Sequence, residues 1–426
     1  MSRSAGLATI AAVALLGPLL ASRAAARDLW TSDDEEESLV LQTSLKSTWL
    51  LAANPDDALL YPERTTAASL WRLRFALTAR PTDWLTAEVD YEQRTRLLSS
   101  ADAVIAATSI LPSSGRAPYR VTQLDWAIVS GPTFAYEHEI DRAFVAFHPA
   151  FGELKIGRQA IGYGRGAIFS AVDVLAPFSP LEVDREWRRG VDAARLEVRA
   201  GAAFSADAVA AFSDPARSGA YIGRVRGYVG DADGALMFGR RAEDWMLGGT
   251  VSASIADAAF YGEAAFFYTD GRGLDGGWLG SDRWVSKFLA GGSYSFDVGS
   301  GLKVGAEYHY SGFGVRDLSH LPALLTDADF QTRFSRGDTQ TLGRHAFALL
   351  VSYDVVDDVS LSLTSIVSPV DGSGVVAPAV RWTYSDGVTL LASVFVPWGR
   401  GPADLDIRSE YGLSPVSVFL QMNVDD

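Results

Sequence analysis

The chain has 426 residues, of which 48% are apolar and 11% aromatic, and it contains no Cys. This apolar content excludes a disordered chain. The absence of Cys excludes a disulfide scaffold, a thiol nucleophile, a Cys-ligated metal centre and the lipid attachment of a lipoprotein. The formal net charge of −15 argues against a nucleic-acid partner, because phosphates need a basic surface.

The N-terminal residues have the features of a cleavable secretory signal. The apolar stretch Leu7–Leu20 follows a basic residue, and small residues in an A-x-A pattern precede a cleavage site after Ala26. The stretch is shorter than the roughly 20 residues that a membrane-spanning helix needs. We therefore predict a signal peptide at 1–26, a solvated acidic tail at 27–38, and a single domain at 39–426.

From residue 39 onward the sequence alternates with a period of two. The clearest segments are Trp71–Thr78, Leu85–Glu92, Trp245–Ile255, Leu302–Tyr310 and Val376–Tyr384. Successive side chains of a strand point to opposite faces, so each segment predicts a strand with one apolar and one polar face. No apolar run of spanning length follows the signal. An exported chain of this kind is either soluble or a β-barrel.

Strand length and loop parity distinguish a membrane barrel from a soluble sandwich. The predicted strands have about 10–13 residues, as tilted membrane strands need, against about 5–6 in soluble proteins. Short turns alternate strictly with the other connections, and the second set contains all the long loops. Outer-membrane barrels show this asymmetry. The sequence therefore predicts an all-β, antiparallel, up-and-down transmembrane barrel of about 18 strands, with short periplasmic turns and long extracellular loops.

The predicted connections fall into these two sets. The short turns are Arg80–Asp83, His148–Gly152, Ala200-Gly201, Gly230–Gly234, Ala256-Asp257, Asp297–Gly301, Val355–Asp358 and Ser385–Gly387. The loops are Asn54–Thr65, Leu97–Glu137, Gly162–Arg189, Asp214–Ser218, Arg241–Asp244, Asp270–Arg283, Phe313–Gln340, Pro369–Gly374 and Trp398–Leu413.

The inward faces of the predicted strands carry charges of both signs. The arginines of a predicted basic track along the lumen are Arg72, Arg74, Arg195, Arg199, Arg224 and Arg226. Inward carboxylates include Glu88, Asp90, Glu92, Glu197, Glu263 and Glu307. Two interpretations stay open: a wall of ion pairs that stiffens the barrel, and a track for an anionic solute.

The densest group of charges lies at the end of the predicted fifth strand and in the loop after it. The charges alternate in sign, and the planar fork of Arg suits a carboxylate. Such a loop could fold inward, hold itself to the wall through Arg–Asp pairs, and constrict or gate the pore. Alternatively, its charges fix only its own conformation.

The stretch Lys155–Arg195 (KIGRQAIGYGRGAIFSAVDVLAPFSPLEVDREWRRGVDAAR) resembles the G-R-Q…Y-G…D…P…D segment of polysaccharide export barrels. These are the alginate-export porins and the barrel porins of exopolysaccharide secretion. The resemblance implies a barrel of about this strand count that lets a growing polysaccharide cross the outer membrane. The constriction residues that it implies are Arg158, Gln159, Asp173, Asp184, Arg185, Arg188 and Asp192, and we add Arg189 from the same charged group.

We therefore expect a porin of the bacterial outer membrane that lets an exopolysaccharide cross during secretion. The alternative is a general diffusion porin for small polar solutes. A third hypothesis is a plugged structural or adhesive barrel, or a lipid-modifying enzyme. The expected partners are outer-membrane lipid, a polysaccharide substrate and a periplasmic polysaccharide export protein.

We expect no enzymatic activity, catalytic residue, metal site or cofactor. The five histidines do not form an H-E-x-x-H motif, and there is no G-x-S-x-G elbow. The acidic run Asp33–Glu37 is more typical of a solvated tail than of a metal site.

Overall fold

The computed structural model of the protein describes most of the chain after residue 26. The described residues are 27–32, 37–103, 110, 118–276, 283–403 and 406–425. The predicted signal peptide and residues 33–36 of the predicted tail lie outside them. Within these ranges, no helix is both long enough and apolar enough to cross a membrane.

The protein is a closed antiparallel β-barrel of 18 strands, as the alternation predicts. The strands are β1 (Arg27–Thr31), β2 (Ser38–Ala53), β3 (Thr65–Thr82), β4 (Leu85–Leu98), β5 (Asp125–Ser130), β6 (Phe134–Phe147), β7 (Gly152–Gln159), β8 (Val191–Ala200), β9 (Phe204–Ala211), β10 (Ala220–Val229), β11 (Ala232–Arg241), β12 (Asp244–Ile255), β13 (Ala258–Tyr268), β14 (Trp284–Phe296), β15 (Leu302–Ser311), β16 (His345–Val356), β17 (Val359–Ser368), β18 (Ser373–Ser385), β19 (Val388–Trp398) and β20 (Val416–Asp425). Consecutive barrel strands pair, and β2 pairs with β20 to close the barrel. The strands β1 and β5 lie outside the count of 18.

The connections follow the predicted alternation of short turns and longer loops. The loop between β15 and β16, here called the cap loop, contains α1 (Leu321–Leu325) and α2 (Ala328–Ser335). Short 3₁₀ turns lie at Ala216–Ser218, Leu318–His320 and Tyr411–Leu413. The long loops therefore collect at the extracellular end of the barrel and the short turns at the periplasmic end.

One predicted loop contains a strand. The segment Leu97–Glu137 was expected to be a single connection, but β5 lies within it and pairs with the first half of β6. The reason is the shortness of β7, which pairs with β6 only from Ala143 to Phe147. The upper edge of β6 would otherwise have unpaired backbone groups, and β5 satisfies them.

The N-terminal tail is also partly ordered. Its first residues form β1, which pairs with Ser38–Leu41 at the start of β2. Since β20 pairs with β2 only from Ser44 onward, β1 continues the wall beyond the C-terminal strand. This segment, predicted as a solvated tail, is therefore partly an extension of the sheet.

The outer face of the barrel is an apolar surface. On β12, Trp245, Leu247 and Val251 point outward and are about half exposed, whereas the alternate residues Met246 and Thr250 are buried inside. A water-soluble protein rarely exposes so large an apolar area. A closed barrel leaves no unpaired strand edge, so it can lie in lipid with this surface against the acyl chains. Such an exterior is what we expect of a barrel in the bacterial outer membrane.

Candidate functional site

The loop between β7 and β8, residues 160–190, folds into the barrel and is called here the lumen loop. Near its end, Asp184 contacts Lys46 of β2 and Arg72 of β3. Its middle contacts Glu263 of β13 and Glu307 of β15, which lie across the barrel from β2 and β3. The lumen loop therefore crosses the lumen and is held on both sides.

Glu263 binds the backbone of the lumen loop. Its Oε2 atom accepts hydrogen bonds from the backbone N–H of Ala171 at 2.6 Å and of Val172 at 3.2 Å, and from the Ser170 hydroxyl at 2.8 Å. Its Oε1 atom accepts from the N–H of Gly166 at 3.1 Å. One buried carboxylate thus satisfies several N–H groups that have no partner in secondary structure.

Glu307 binds the segment between these contacts. Its Oε2 atom accepts from the backbone N–H of Ile168 at 3.0 Å and of Phe169 at 3.1 Å. Its Oε1 atom accepts from the N–H of Ala167 and from the Tyr261 hydroxyl, the latter at 2.7 Å. We call Glu263 and Glu307 together the carboxylate clamp.

The opposite end of the lumen loop is held by buried ion pairs. Asp184 lies 2.7 Å from Lys46 Nζ and 3.1 Å from Arg72 Nη1. Glu186, whose side chain is about half exposed, also accepts from Lys46, at 2.8 Å. The guanidinium of Arg72 is at the same time bidentate to Glu92, with both N–O distances 3.0 Å. Such pairs hold a geometry well, because losing one partner leaves a buried charge.

Trp187 completes this anchor. Its ring lies 4.0 Å from Lys46 Nζ, and the guanidinium carbons of Arg72 and Arg74 lie 4.7 and 4.9 Å from the ring centroid. Three cations therefore contact one aromatic side chain of the loop.

Three of the predicted constriction residues lie in the wall. Arg158 is buried, donates to Asp192 at 2.7 Å, and also donates to the carbonyl of Ile140. Asp192 accepts from the backbone N–H of Thr122, so the pair fixes the loop that contains β5. Gln159 donates to the carbonyl of Ala193 on β8. That these three residues help to form a constriction stays a prediction.

The other predicted constriction residues belong to the lumen loop. Asp173 pairs with Arg188, which lies over the ring of Phe178. Arg185 donates to carbonyls of its own loop, including Pro180 at 2.8 Å. These contacts fit the alternative in which the charges fix the conformation of the loop itself.

Arg189, also predicted as a constriction residue, lines a separate cavity. This cavity of about 250 Å³ lies beside Arg94, Arg120 and Glu139. Asp184, described above, anchors the loop to the wall.

The predicted basic track is largely neutralised. Of its six arginines, five lie within 4 Å of a carboxylate: Arg72, Arg74, Arg195, Arg199 and Arg224. The sixth, Arg226, lies over the ring of Tyr228. The geometry therefore favours the ion-pair wall over a track of free cations.

An open space remains beside the lumen loop. A cavity of about 410 Å³ lies between this loop and the inner faces of β16–β19. The wall contributes a set of hydroxyl groups: Ser352, Ser360, Ser362, Thr364 and Ser393. The loop contributes the apolar side chains of Ile168, Leu181 and Val183 and the charged side chains of Glu182 and Arg185. Hydroxyls can both donate and accept, so this wall can exchange hydrogen bonds with a polar solute.

The loops at the extracellular end contact one another and the ends of the strands. Glu410, in the loop after β19, is buried and accepts from the N–H of Leu342 at 2.9 Å and of Gly343 at 3.0 Å. Burial, together with the nearby Asp371 carboxylate, raises the pKa of Glu410 to about 7. In the cap loop, Arg333 of α2 donates to Asp244 at the start of β12.

The sequence interpretation did not assign the carboxylate clamp. Glu263 and Glu307 were recognised only as inward carboxylates. Their strand neighbours carry a usable signal: Glu263 lies opposite Thr250 and Leu289, and Glu307 lies opposite Gly291 and Ala348. An inward carboxylate whose directly opposite strand neighbours are uncharged needs further partners from across the lumen.

No protein-family model and no curated protein matches this sequence. Solved structures of outer-membrane porins do match over nearly the whole chain. Acinetobacter baumannii OccAB1 aligns with a TM-score of 0.56 and 8% identity, over 94% of this chain and 98% of that chain. Pseudomonas aeruginosa OccK9 (OpdG) aligns with a TM-score of 0.55 and 11% identity, over 93% and 100%. The chain therefore has the fold of the outer-membrane porins.

Proposed function

We propose that the protein is a channel for the diffusion of small polar solutes across the outer membrane. The observation that carries this proposal is the lumen loop, which crosses the barrel and leaves a cavity of about 410 Å³ beside a hydroxyl-bearing wall. Sites for small molecules typically measure about 300–1,000 Å³. The space therefore suits a small solute.

Polysaccharide export, the first expectation from the sequence, has less support. A growing polymer needs an open path along the whole lumen, whereas here the loop is bound to both walls. The similar solved structures are porins of the Occ and OprD type, and nothing in the comparison points to export porins specifically. The polysaccharide substrate and the periplasmic export protein stay untested predictions.

The proposed partner of the barrel exterior is outer-membrane lipid. The apolar side chains of β12 illustrate the surface that lipid would cover. No periplasmic protein is required for passive diffusion.

Liposome swelling tests the proposal directly. The purified, refolded protein is incorporated into liposomes, which are then diluted into isosmotic solutions of arabinose, glucose, sucrose or raffinose. We expect swelling with monosaccharides and a steep decline with solute size. Liposomes carrying heat-unfolded protein are the control.

A second measurement separates diffusion from export. Deleting the gene should slow the uptake of small sugars while surface polysaccharide, measured by dye binding, stays unchanged. Loss of surface polysaccharide with normal sugar uptake, or no swelling with any solute, would contradict the proposed function.

A further inference from the structure

The two sides of the lumen have different chemistry. The side formed by β2 to β10 carries the ion-paired charges described above. On the inner faces of β16–β19, within residues 345–398 that the structure describes without a gap, the only charged side chains are Asp354 and Arg381. These two lie toward the periplasmic ends of their strands and have opposite signs.

The cavity beside the lumen loop has apolar surfaces on both sides. Ile168 of the loop belongs to the same buried apolar cluster as Val375 and Phe395 of the wall, and Leu181 and Val183 pack against that cluster. The hydroxyls of the wall lie among these side chains. A solute in this space would contact hydrocarbon and hydroxyl groups together.

The charged side chains that line the cavity have both signs: Arg185 and Arg381 are basic, and Glu182 and Asp354 are acidic. Arg185 lines the cavity but donates to the carbonyls of Ser179, Pro180 and Glu182. The pairs Arg72–Glu92 and Arg74–Asp90 neutralise the opposite wall. A small ion entering the cavity would lose water against a lining whose two basic and two acidic side chains carry no net charge, which is costly. Apolar constrictions also exclude ions, because water leaves the constriction and a hydrated ion cannot pass.

We propose that this cavity selects uncharged solutes that combine an apolar face with hydroxyl groups, and that it disfavours small ions. The proposal rests on the proposed channel function and specifies its solute class. An uncharged hydroxylated solute can exchange its hydrogen bonds with water for bonds to Thr364 and Ser393. The Ser393 hydroxyl donates to the carbonyl of Pro378 and can accept from the solute. Its apolar face can at the same time be buried against Leu181 and Phe395.

Liposome swelling with related sugars tests this selectivity. The probes are glucose, phenyl glucoside, glucosamine and glucuronate, each at equal osmolarity, with corrections for the counter-ions of the charged sugars. We expect phenyl glucoside to enter no more slowly than the smaller glucose, and both charged sugars to enter several-fold more slowly. In planar bilayers we expect a low conductance in potassium chloride.

Two substitutions and a matched control connect the selectivity to the cavity. Thr364→Asp and Ser393→Asp should each reduce phenyl glucoside entry several-fold and raise the relative entry of glucosamine. Ser205→Asp places the same charge on the inner face of β9, outside the cavity, and should leave the order of solutes unchanged. A gel shift on heating confirms that each variant folds.

The possible failures are distinguishable. If no solute enters at all, the proposed channel function is wrong. If sugars enter but glucuronate or glucosamine enters as fast as glucose, the channel function stands and the inferred solute class is overturned. An equal effect of all three substitutions would also overturn it, because the cavity would not determine selectivity.

Discussion

The carboxylate clamp is the feature whose removal should change the channel most. Replacing Glu263 by Gln keeps the shape of the side chain but turns one acceptor oxygen into an NH₂ donor. If the NH₂ group replaces Oε1, it faces the backbone N–H groups of Arg165 and Gly166. If it replaces Oε2, it faces the backbone N–H groups of Ala171 and Val172. In either case at least two donors of the lumen loop lose their acceptor. Each hydrogen bond to a charged group contributes about 1.5–3 kcal/mol.

The loss of two such bonds weakens the docking of the loop by about 3–6 kcal/mol, before any water forms hydrogen bonds with the freed N–H groups. Even the lower value shifts the balance between docked and undocked loop about a hundredfold, since about 1.4 kcal/mol is a factor of ten. Glu307→Gln should act in the same way on the N–H groups of Ile168 and Phe169. The double variant should release the middle of the loop from the wall.

Single-channel recording measures the effect. We expect each Gln variant to show larger and noisier conductance than the unmodified protein, and the double variant to admit trisaccharides in liposome swelling. Glu197→Gln is the matched control, since Glu197 is an inward carboxylate whose ion pairs, with Arg195 and Arg199, lie within β8. If the double variant folds and its conductance is unchanged, the clamp does not hold the loop and the reasoning is refuted.

Three further predictions follow from the topology, the lipid-facing surface and the extracellular loops. On whole cells, protease or label should reach Leu97–Glu137 but not the turn Arg80–Asp83; the reverse pattern would invert the barrel. Phe288 lies on the outer face of β14 beside Phe266. Phe288→Arg should destabilise the barrel by about 2–4 kcal/mol if the residue lies near the bilayer midplane, while Phe288→Leu should cost much less. Urea titration of the heat-dependent gel shift measures both effects. Docking of the loop after β19 should weaken as pH rises, because the pKa of Glu410 is about 7 in the folded protein and 4.5 ordinarily. The stability that protonated Glu410 adds to the docked loop is complete below pH 4.5 and is lost as the pH rises above 7. Hydrogen exchange of this loop at pH 5.5 and 8 should show the change, and Glu410→Gln should abolish it.

The barrel could be predicted from the sequence because its determinants are local. The alternation of apolar and polar residues in segments such as Trp245–Ile255 indicates which face of a strand contacts lipid, and turn residues indicate where the chain reverses. The inward folding of the lumen loop was also a reasonable expectation from its charges. The predicted Arg–Asp pairs to the wall are present: Arg165 of the loop pairs with Asp233 of β11, and Asp184 of the loop pairs with Arg72 of β3. A third pair, Arg188–Asp173, lies within the loop itself.

What could not be predicted depends on contacts between distant residues. Asp184 meets Lys46 from far along the chain, and no local spacing encodes that approach. The strand β5 exists because β7 is short, which is a property of a neighbouring strand. The clamp was missed because the partners of Glu263 are backbone groups, and every residue except Pro carries the same donor.

The clamp also bears on how such a channel can diversify. Glu263 and Glu307 bind main-chain N–H groups, so the hydrogen bonds that dock Ala167 and Ile168 do not depend on the side chains at these two positions. Replacing Ile168 would alter the lining of the cavity while its N–H still binds Glu307. A protein built in this way can acquire a new solute preference by single substitutions while its architecture is preserved.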